Sequence, residues 1–422
     1  MMGAGLSSSI LVLGLASHQV LATAEILHID KTQEAVRLAQ ADPAYAEAQR
    51  RIQVALETQA TALDLSWFGL RILPPEIGQL TNLQSLFLEG NLLSSLPPEI
   101  GQLTNLQSLI LDRNQLSSLP PEIGQLTNLQ GLKLSYNGLT GLPSEIGQLT
   151  NLQRLNLGSN KFTSLPSEIG QLSKLRGLYL RGNEIRSLPP EITQIIWLGE
   201  LDLSFNGLTS LPPEVMQISR LRKLDLMHNQ LTSLPTEIGQ LTWLTDLYLR
   251  GNFLASLPAE IGQLIGLQKL GLSFNQLTSV PAEISQPINL QFLHLSYNQL
   301  SDFPAEVAQM PSLRALYLDN NQISDFPAEI SQLHRLVVLD LSSNQLTRLP
   351  SEIGQLSNLS SLYLNNNRLN NLPIEIGQLY NLRTLDLANN QLTSLPPELL
   401  LLPGLYLNLI DNPLPPEVME QF

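Results

Sequence analysis

Fourteen asparagines follow one another through this chain at a spacing of 23 residues, with no insertion or deletion between them. A residue type held at a fixed period over most of 422 residues indicates one structural unit stacked many times. Each unit then completes the interior of its neighbours, so we expect one solenoid over residues 60–413 instead of about three compact domains. The asparagines are Asn91, Asn114, Asn137, Asn160, Asn183, Asn206, Asn229, Asn252, Asn275, Asn298, Asn321, Asn344, Asn367 and Asn390.

Each unit carries the pattern L-x-x-L-x-L-x-x-N-x-L, which resembles the leucine-rich repeat. Leu86 and Leu88 alternate with exposed positions as in a short β-strand, and the chain reverses after them. We expect Asn91 and its equivalents to bond the backbone groups that this reversal buries, as a structural ladder. The resemblance implies an α/β solenoid, a right-handed leucine-rich-repeat horseshoe of about 16 units. Its parallel β-sheet would form the concave face, with irregular turns and short helices on the convex face.

The net charge of −14 belongs largely to the repeat consensus and says little about the concave face. Fifteen glutamates recur at one position from Glu76 to Glu398, where the convex turns begin. A helix N-terminus favours a negative charge there. The chain has no cysteine, which excludes disulfides, a cysteine nucleophile and a thiolate metal site.

Both ends depart from the repeat, as terminal units of a solenoid do. Residues 1–59 form an N-terminal segment in which helix-start signals predict helices at Lys31–Gln40 and Pro43–Glu57, and we expect both to cap the open end of the solenoid. Residues 414–422 form an exit segment in which we predict no capping helix. We expect the native chain to continue beyond it into a downstream domain.

The first 24 residues leave the compartment open between two alternatives. Ile10–Ala16 resembles the apolar core of a signal peptide, and Ala22–Ala24 resembles a cleavage site that would leave Glu25 first. The start of the chain lacks the expected Lys or Arg, which favours a cytoplasmic protein whose apolar segment packs on the cap. The apolar run is too short for a membrane span, which needs about 20 residues.

The units Leu73–Gln84 and Leu96–Gln107, with the ending Asn412–Pro416, resemble the repeat domain of bacterial Roco proteins. The resemblance implies a cytoplasmic protein with a downstream GTPase domain called Roc and a dimerising domain called COR. GTP or GDP would bind there, beyond Phe422. The motif G-x-x-x-x-G-K-[ST] is absent from the sequence, so we assign no cofactor and no enzymatic activity to these residues. The alternative is an exported bacterial leucine-rich-repeat protein that binds a surface or host ligand.

Function is expected on the concave face, where the sequence varies between units. The expected partner is a protein or a downstream domain of the same polypeptide, because Tyr and Arg dominate binding hot spots. The alternative is that strands favour Tyr in any case and that surface charge only maintains solubility. The candidate residues are Arg154, Arg176, Tyr179, Arg181, Arg222, Lys223, Tyr248, Arg250, Lys269, His294 and Tyr317.

Catalysis and metal binding are less favoured by the sequence. Asp202 and Asp225 lie on adjacent strands, near the roughly 5 Å separation of a retaining glycosidase pair. We expect them instead to form solvated ion pairs with the neighbouring Arg222 and Lys223. His228 and His294 fall three strands apart, too far to share a metal ion.

Nucleic-acid binding would require the same basic residues together with stacking aromatic side chains. Phe205, Phe274 and Tyr297 each directly precede a ladder asparagine, where they can instead cover the edge of the strands. The basic residues are too sparse to favour a nucleic-acid partner.

Overall fold

The computed structural model describes residues 42–421, and the predicted helix at 31–40 and the apolar N-terminal segment lie outside this range. The first element is helix α1 (Pro43–Glu57). Asp42 caps it by accepting a hydrogen bond from the Ala44 N–H at 3.0 Å, and Pro43 occupies the first helical position. Its buried face packs on the first strand and first convex turn, so α1 covers one open end of the core.

One sheet of 16 parallel strands follows, with the strands in chain order. Leu63 pairs with Leu86, and the offset of 23 residues recurs until the final pair, where Thr384 meets Tyr406. The predicted leucine-rich-repeat solenoid fold is therefore confirmed. The strands are β1 (Ala62–Asp64), β2 (Ser85–Phe87), β3 (Ser108–Ile110), β4 (Gly131–Lys133), β5 (Arg154–Asn156), β6 (Gly177–Tyr179), β7 (Glu200–Asp202), β8 (Lys223–Asp225), β9 (Asp246–Tyr248), β10 (Lys269–Gly271), β11 (Phe292–His294), β12 (Ala315–Tyr317), β13 (Val338–Asp340), β14 (Ser361–Tyr363), β15 (Thr384–Asp386) and β16 (Tyr406–Asn408).

The convex wall consists of 3-10 turns, each preceded by a proline in an extended conformation. The isoleucine, valine or leucine at the third position of each turn is buried, while the glutamate lies in the first turn. These turns are Pro75–Gln79, Pro98–Gln102, Pro121–Gln125, Ser144–Gln148, Ser167–Gln171, Pro190–Gln194, Pro213–Gln217, Thr236–Gln240, Ala259–Gln263, Ala282–Ser285, Ala305–Gln309, Ala328–Gln332, Ser351–Gln355, Ile374–Gln378 and Pro397–Leu401.

A recurring glycine lets neighbouring turns approach closely. A Cβ at Gly124 would lie 2.7 Å from the carbonyl oxygen of Glu145 in the next turn, closer than atoms can pack. Thr193 and Met216 replace this glycine in two consecutive turns, and each of these turns packs less closely on the turn that follows it. The convex wall is therefore looser around Pro213–Gln217.

The ladder asparagines lie between strands and convex turns, and all of them except the half-buried Asn137 are buried. Asn229 donates hydrogen bonds to the carbonyl oxygens of Leu203 and Leu226, both at 3.0 Å. Its Oδ1 accepts from the N–H groups of Asn206 and Leu208, also at 3.0 Å. One side chain thus provides hydrogen-bond partners for the backbone groups that the chain reversal buries, and it also joins consecutive repeats.

Tight reversal imposes a left-handed backbone on the residue before each of the fourteen ladder asparagines, with φ between +53° and +71°. Glycine occupies this position only at Gly90, Gly182 and Gly251. Elsewhere an L-residue is held in a conformation that costs about 1–2 kcal/mol, which the surrounding ladder must offset. Large side chains also occupy this position at the edge that follows the strands, among them Phe205 and Tyr297.

At the last unit the ladder continues with one residue fewer, since Asn412 accepts from the Leu392 N–H at 3.1 Å across 20 residues. A single helical turn, α2 (Pro416–Met419), then forms where the sequence predicted no helix. Pro416 stands at the first helical position, where its fixed φ suits helix initiation. Within residues 42–421, no helix combines the length and apolar character that crossing a bilayer requires.

Candidate functional site

The middle residue of each β-strand triplet is a core leucine, and the residues on either side form the concave wall. Tyr179 on β6 and Tyr248 on β9 are half-buried there, less exposed than the sequence predicted, because parallel strands lie only about 4.8 Å apart. The Tyr179 hydroxyl donates to Glu200 at 2.6 Å, and the Tyr248 hydroxyl donates to Asp246 at 3.0 Å. Burial and the adjacent carboxylate raise the pKa of each tyrosine to about 12. Both hydroxyls are therefore fixed, neutral donors.

Asp246 is the centre of a polar cluster on β8–β10. Lys269 forms an ion pair with it at 3.2 Å, and the Thr245 hydroxyl donates to it at 2.8 Å. Burial alone would raise the pKa of Asp246, but the hydrogen bonds from Thr245, Lys269 and Tyr248 outweigh burial and lower it. Lys223 lies 5.6 Å from the centroid of the Tyr248 ring. Three of the predicted residues thus meet around one ionised carboxylate.

The adjacent aspartates on β7 and β8 differ from the prediction. Asp225 is only 8% exposed and accepts a hydrogen bond from the Met227 N–H at 3.0 Å. Burial, reinforced by the charge of Asp202, raises the pKa of Asp225 to about 6. Neither aspartate forms an ion pair within residues 42–421, so the expected solvated pairs with Arg222 and Lys223 are wrong. Crowding between strands buries the carboxylate, while Arg222 and Lys223 line a pocket nearby.

Two predicted arginines stack on aromatic rings along the edge that follows the strands. The Arg181 guanidinium lies 4.0 Å from the centroid of Phe205, which stacks on His228 at 4.3 Å. Burial and the charges of Arg250 and Arg181 lower the pKa of His228. This histidine is therefore stabilised in its neutral form.

The second stack repeats this arrangement three repeats further along. Arg250 lies 4.4 Å from the centroid of Phe274, which stacks on Tyr297 at 4.1 Å. His294 on β11 stacks on Tyr317 of β12 at 4.5 Å. His228 and His294 therefore lie in separate stacks, as far apart as the sequence predicted. Within residues 42–421, no group of three His, Asp or Glu side chains could hold a metal ion.

Three other predicted residues, Arg176, Arg222 and Lys223, line a pocket of about 550 Å³ on the opposite edge, just before the strands begin. Arg154 on β5 is exposed in a separate shallow groove that also reaches Arg176. The remaining side chains of the pocket belong to the neighbouring strands and to the turns that enter them. They are Trp197, Glu200, Arg220, Trp243, Thr245 and Asp246, with Gly199.

Sequence reasoning missed Trp197, Arg220 and Trp243, which occupy one position of three consecutive repeats. Seven other repeats carry asparagine there, as at Asn105, whose Nδ2 donates to the carbonyl oxygen of Thr81 at 2.9 Å. The two tryptophans are 53% and 58% exposed, and the Arg220 guanidinium lies 4.4 Å from the centroid of Trp197. Alignment of the repeats at their period of 23 would have revealed the replacement. We call this position, together with the pocket beside it, the rim site.

Family models of the leucine-rich repeat match most of the solenoid. The model described as leucine rich repeat matches residues 265–323, and the leucine-rich repeat region matches residues 109–179 and 163–251. A third model, also described as leucine rich repeat, matches residues 82–103, 335–356 and 381–402. A search of the curated proteins gave no match.

Solved structures similar to this chain include proteins of bacteria and plants. A leucine-rich-repeat protein of Leptospira interrogans is 50% identical, with a TM-score of 0.83 over 87% of this chain and 95% of that one. The ectodomain of the plant membrane receptor kinase GASSHO1/SCHENGEN3 from Arabidopsis thaliana, in complex with CASPARIAN STRIP INTEGRITY FACTOR 2, is 32% identical, with a TM-score of 0.64. That match covers 85% of this chain and 48% of the ectodomain. The functional domain of InlJ from Listeria monocytogenes is 27% identical, with a TM-score of 0.65 over 80% and 70% of the chains.

Proposed function

Because this chain belongs to the leucine-rich repeat family, we propose that it is a recognition scaffold that binds a protein partner on its concave wall. Leucine-rich-repeat solenoids typically present extended concave surfaces for such contacts and carry no catalytic activity of their own. The stretch of wall that we assign to the partner runs from β5 to β12.

The observation that carries this proposal is the continuity of the eleven candidate residues. Each lies on a strand between β5 and β12 or within two residues of one, with Arg154 at one end and Tyr317 at the other. Cations and tyrosines therefore face the concave side, while the convex turns carry the recurring glutamates. Pairing and stacking pre-order many of these side chains, which lowers the entropic cost of binding.

Photo-crosslinking tests which wall meets the partner. A photoreactive amino acid at Tyr317 should capture a protein in the native cells, whereas the same amino acid at the exposed, convex Glu329 should capture little. Combining Arg154→Glu with Arg250→Glu should reduce capture from the Tyr317 position without a large change in melting temperature. Equal capture from both walls, or capture unaffected by the double charge reversal, would contradict the proposal.

We propose further that this solenoid is the repeat domain of a Roco-type protein, in which a downstream domain binds GTP or GDP. The units Leu73–Gln84 and Leu96–Gln107 and the ending Asn412–Pro416 support this finer assignment. The concave wall would then bind partners, or restrain the GTPase domain of the same polypeptide, in the cytoplasm.

An exported binding protein is the second candidate, favoured by the apolar run Ile10–Ala16 and the small residues Ala22–Ala24. The native protein, isolated from its own cells with an antibody against the repeats, separates the two. A much longer chain retained on GTP resin supports the Roco assignment. A chain that starts at Glu25 and ends near Phe422 contradicts it and supports export.

A further inference from the structure

The rim site departs from the repeat consensus in a way that folding does not require. Asn105 and Asn128 use their side chains there to bond the carbonyl oxygen of the preceding repeat, both at 2.9 Å. Trp197 and Trp243 give up that bond and place large rings in solvent instead. Since neither ring is part of the core, the exchange suggests that these positions serve binding.

The convex wall also changes beside the rim site. Thr193 and Met216 replace the glycine that lets neighbouring turns approach, and these turns pack less closely on the turns that follow them. These two repeats are the ones that carry Trp197 and Arg220. Among the described residues, Trp197 and Arg220 therefore follow the convex turns that pack least closely on the turns after them.

The charges of the rim site favour a negatively charged ligand. Arg176, Arg222 and Lys223 line it together with Arg220, and none of the four forms an ion pair within residues 42–421. Both carboxylates in the lining are already engaged. Glu200 accepts from the Tyr179 hydroxyl at 2.6 Å, and Asp246 pairs with Lys269 at 3.2 Å.

The exposed aromatic rings favour a ligand that also carries an apolar group, which a simple anion lacks. Trp197 and Trp243 are two repeats apart, roughly 10 Å from the spacing of strands, and Arg220 occupies the same position of the repeat between them. Arg220 covers part of Trp197 and gives that edge a planar cation. Exposed Trp and Arg side chains in one pocket are the composition of protein-binding hot spots.

We infer that the rim site binds an acidic segment of a protein partner, with an apolar side chain against the exposed rings of Trp197 and Trp243. The carboxylates of the segment lie against Arg176, Arg222 and Lys223. This inference rests on the proposed function and deepens it, since it assigns a chemical class of partner and a place at the edge of the wall. Guanidinium groups are well suited to carboxylates because they bond them in a bidentate way.

Three labelled peptides test the chemistry of the ligand by fluorescence anisotropy. The first has seven residues with a central phenylalanine and flanking glutamates. In the second, glutamine replaces each glutamate, and in the third, glycine replaces the phenylalanine. We expect the first peptide to bind at least about tenfold more tightly than either of the others, and added salt to weaken it. Equal binding of the acidic and glutamine peptides, or no binding of the acidic peptide, would overturn the inference.

Variants that restore the consensus test the location with little risk to folding. Trp197→Asn introduces the residue of Asn105 and Asn128, and Arg222→Gln introduces the residue found at Gln107. The double variant should bind the acidic peptide at least about tenfold more weakly. Arg314→Gln is the matched control, because Arg314 is exposed at the same repeat position but lies four repeats from Arg222. It should leave the affinity unchanged.

Two further outcomes would overturn the inference. One is a double variant that binds the peptide as the parent does. The other is a short single-stranded DNA, or inorganic phosphate, that binds the parent more tightly than the acidic peptide, which would indicate a general anion site. Crosslinking from Tyr317 keeps this result separate from the proposed function. Selective capture by the concave wall with no peptide binding rejects only the acidic segment, whereas peptide binding without selective capture rejects only the wall.

Discussion

Replacement of one ladder asparagine by alanine should destabilise the solenoid far more than replacement of an asparagine at the rim. In Asn229→Ala, the buried N–H groups of Asn206 and Leu208 lose their acceptor, Oδ1 of Asn229. The carbonyl oxygens of Leu203 and Leu226 suffer less, because each also accepts from another ladder asparagine.

The magnitude follows from the two orphaned N–H groups. Each buried donor left without a partner costs roughly 1–3 kcal/mol, so Asn229→Ala should lower the free energy of unfolding by about 4 kcal/mol. Asn105→Ala removes one exposed hydrogen bond to Thr81 and should cost at most about 1 kcal/mol.

Guanidinium denaturation followed by circular dichroism measures both changes. Hydrogen exchange provides a local measurement, since the Leu208 amide should lose protection in Asn229→Ala and keep it in Asn105→Ala. If the two variants differ by less than about 1 kcal/mol, or if the Leu208 amide stays protected, the account of the ladder as a hydrogen-bonding device is refuted.

Three other perturbations have outcomes set by the structure. Gly124→Ala should cost about 1–3 kcal/mol in thermal or chemical unfolding, because its Cβ would lie 2.7 Å from a carbonyl oxygen of the next turn; Gly131→Ala, with no atom within 4 Å, is the control and should cost nothing. The pKa of Asp225 is about 6 in the folded protein, above its ordinary value of 3.8, so protonation of this side chain stabilises the folded state at low pH. That contribution to the free energy of unfolding is lost as the pH rises through about 6. Asp225→Asn should therefore gain stability relative to the parent between pH 4 and pH 7 in urea titrations, and a constant difference would contradict this. Asp42→Ala should lower the stability of the N-terminal cap by about 1 kcal/mol, read as faster amide exchange in α1; unchanged exchange would rule out a capping role.

The fold could be predicted from the sequence because its determinants recur in every unit. Leu86, Leu88 and Asn91 have equivalents at a spacing of 23 residues, so a single interpretation is repeated many times along the chain. Local hydrogen bonds and apolar burial within and between adjacent units then specify the strand, the reversal and the convex turn. Each strand pairs only with the strands of adjacent repeats, so the order of the sheet follows from the order of the repeats.

The details of the candidate site depend on side chains in neighbouring repeats, which the period does not specify. The sequence places Tyr179 and Asp225 on the concave wall, but their burial follows from the strand spacing and from the side chains beside them. Arg181 could be read as free for a partner, whereas its guanidinium stacks on Phe205 of the next repeat. The strand pattern predicts which side chains lie on the concave wall, but Trp197 of the rim site lies at the edge of that wall, outside the pattern.

The strictly neighbour-to-neighbour hydrogen bonding of the ladder has a consequence for how the chain folds during synthesis. Asn91 bonds Leu65, which lies 26 residues earlier, and Asn390 bonds Leu364 across the same separation. Contacts of such short sequence separation allow rapid structure formation without waiting for distant segments. Each newly translated repeat can therefore dock on the one before it as it leaves the ribosome, with α1 covering the first. A growing chain would expose only its latest edge to aggregation, however many repeats remain to be made.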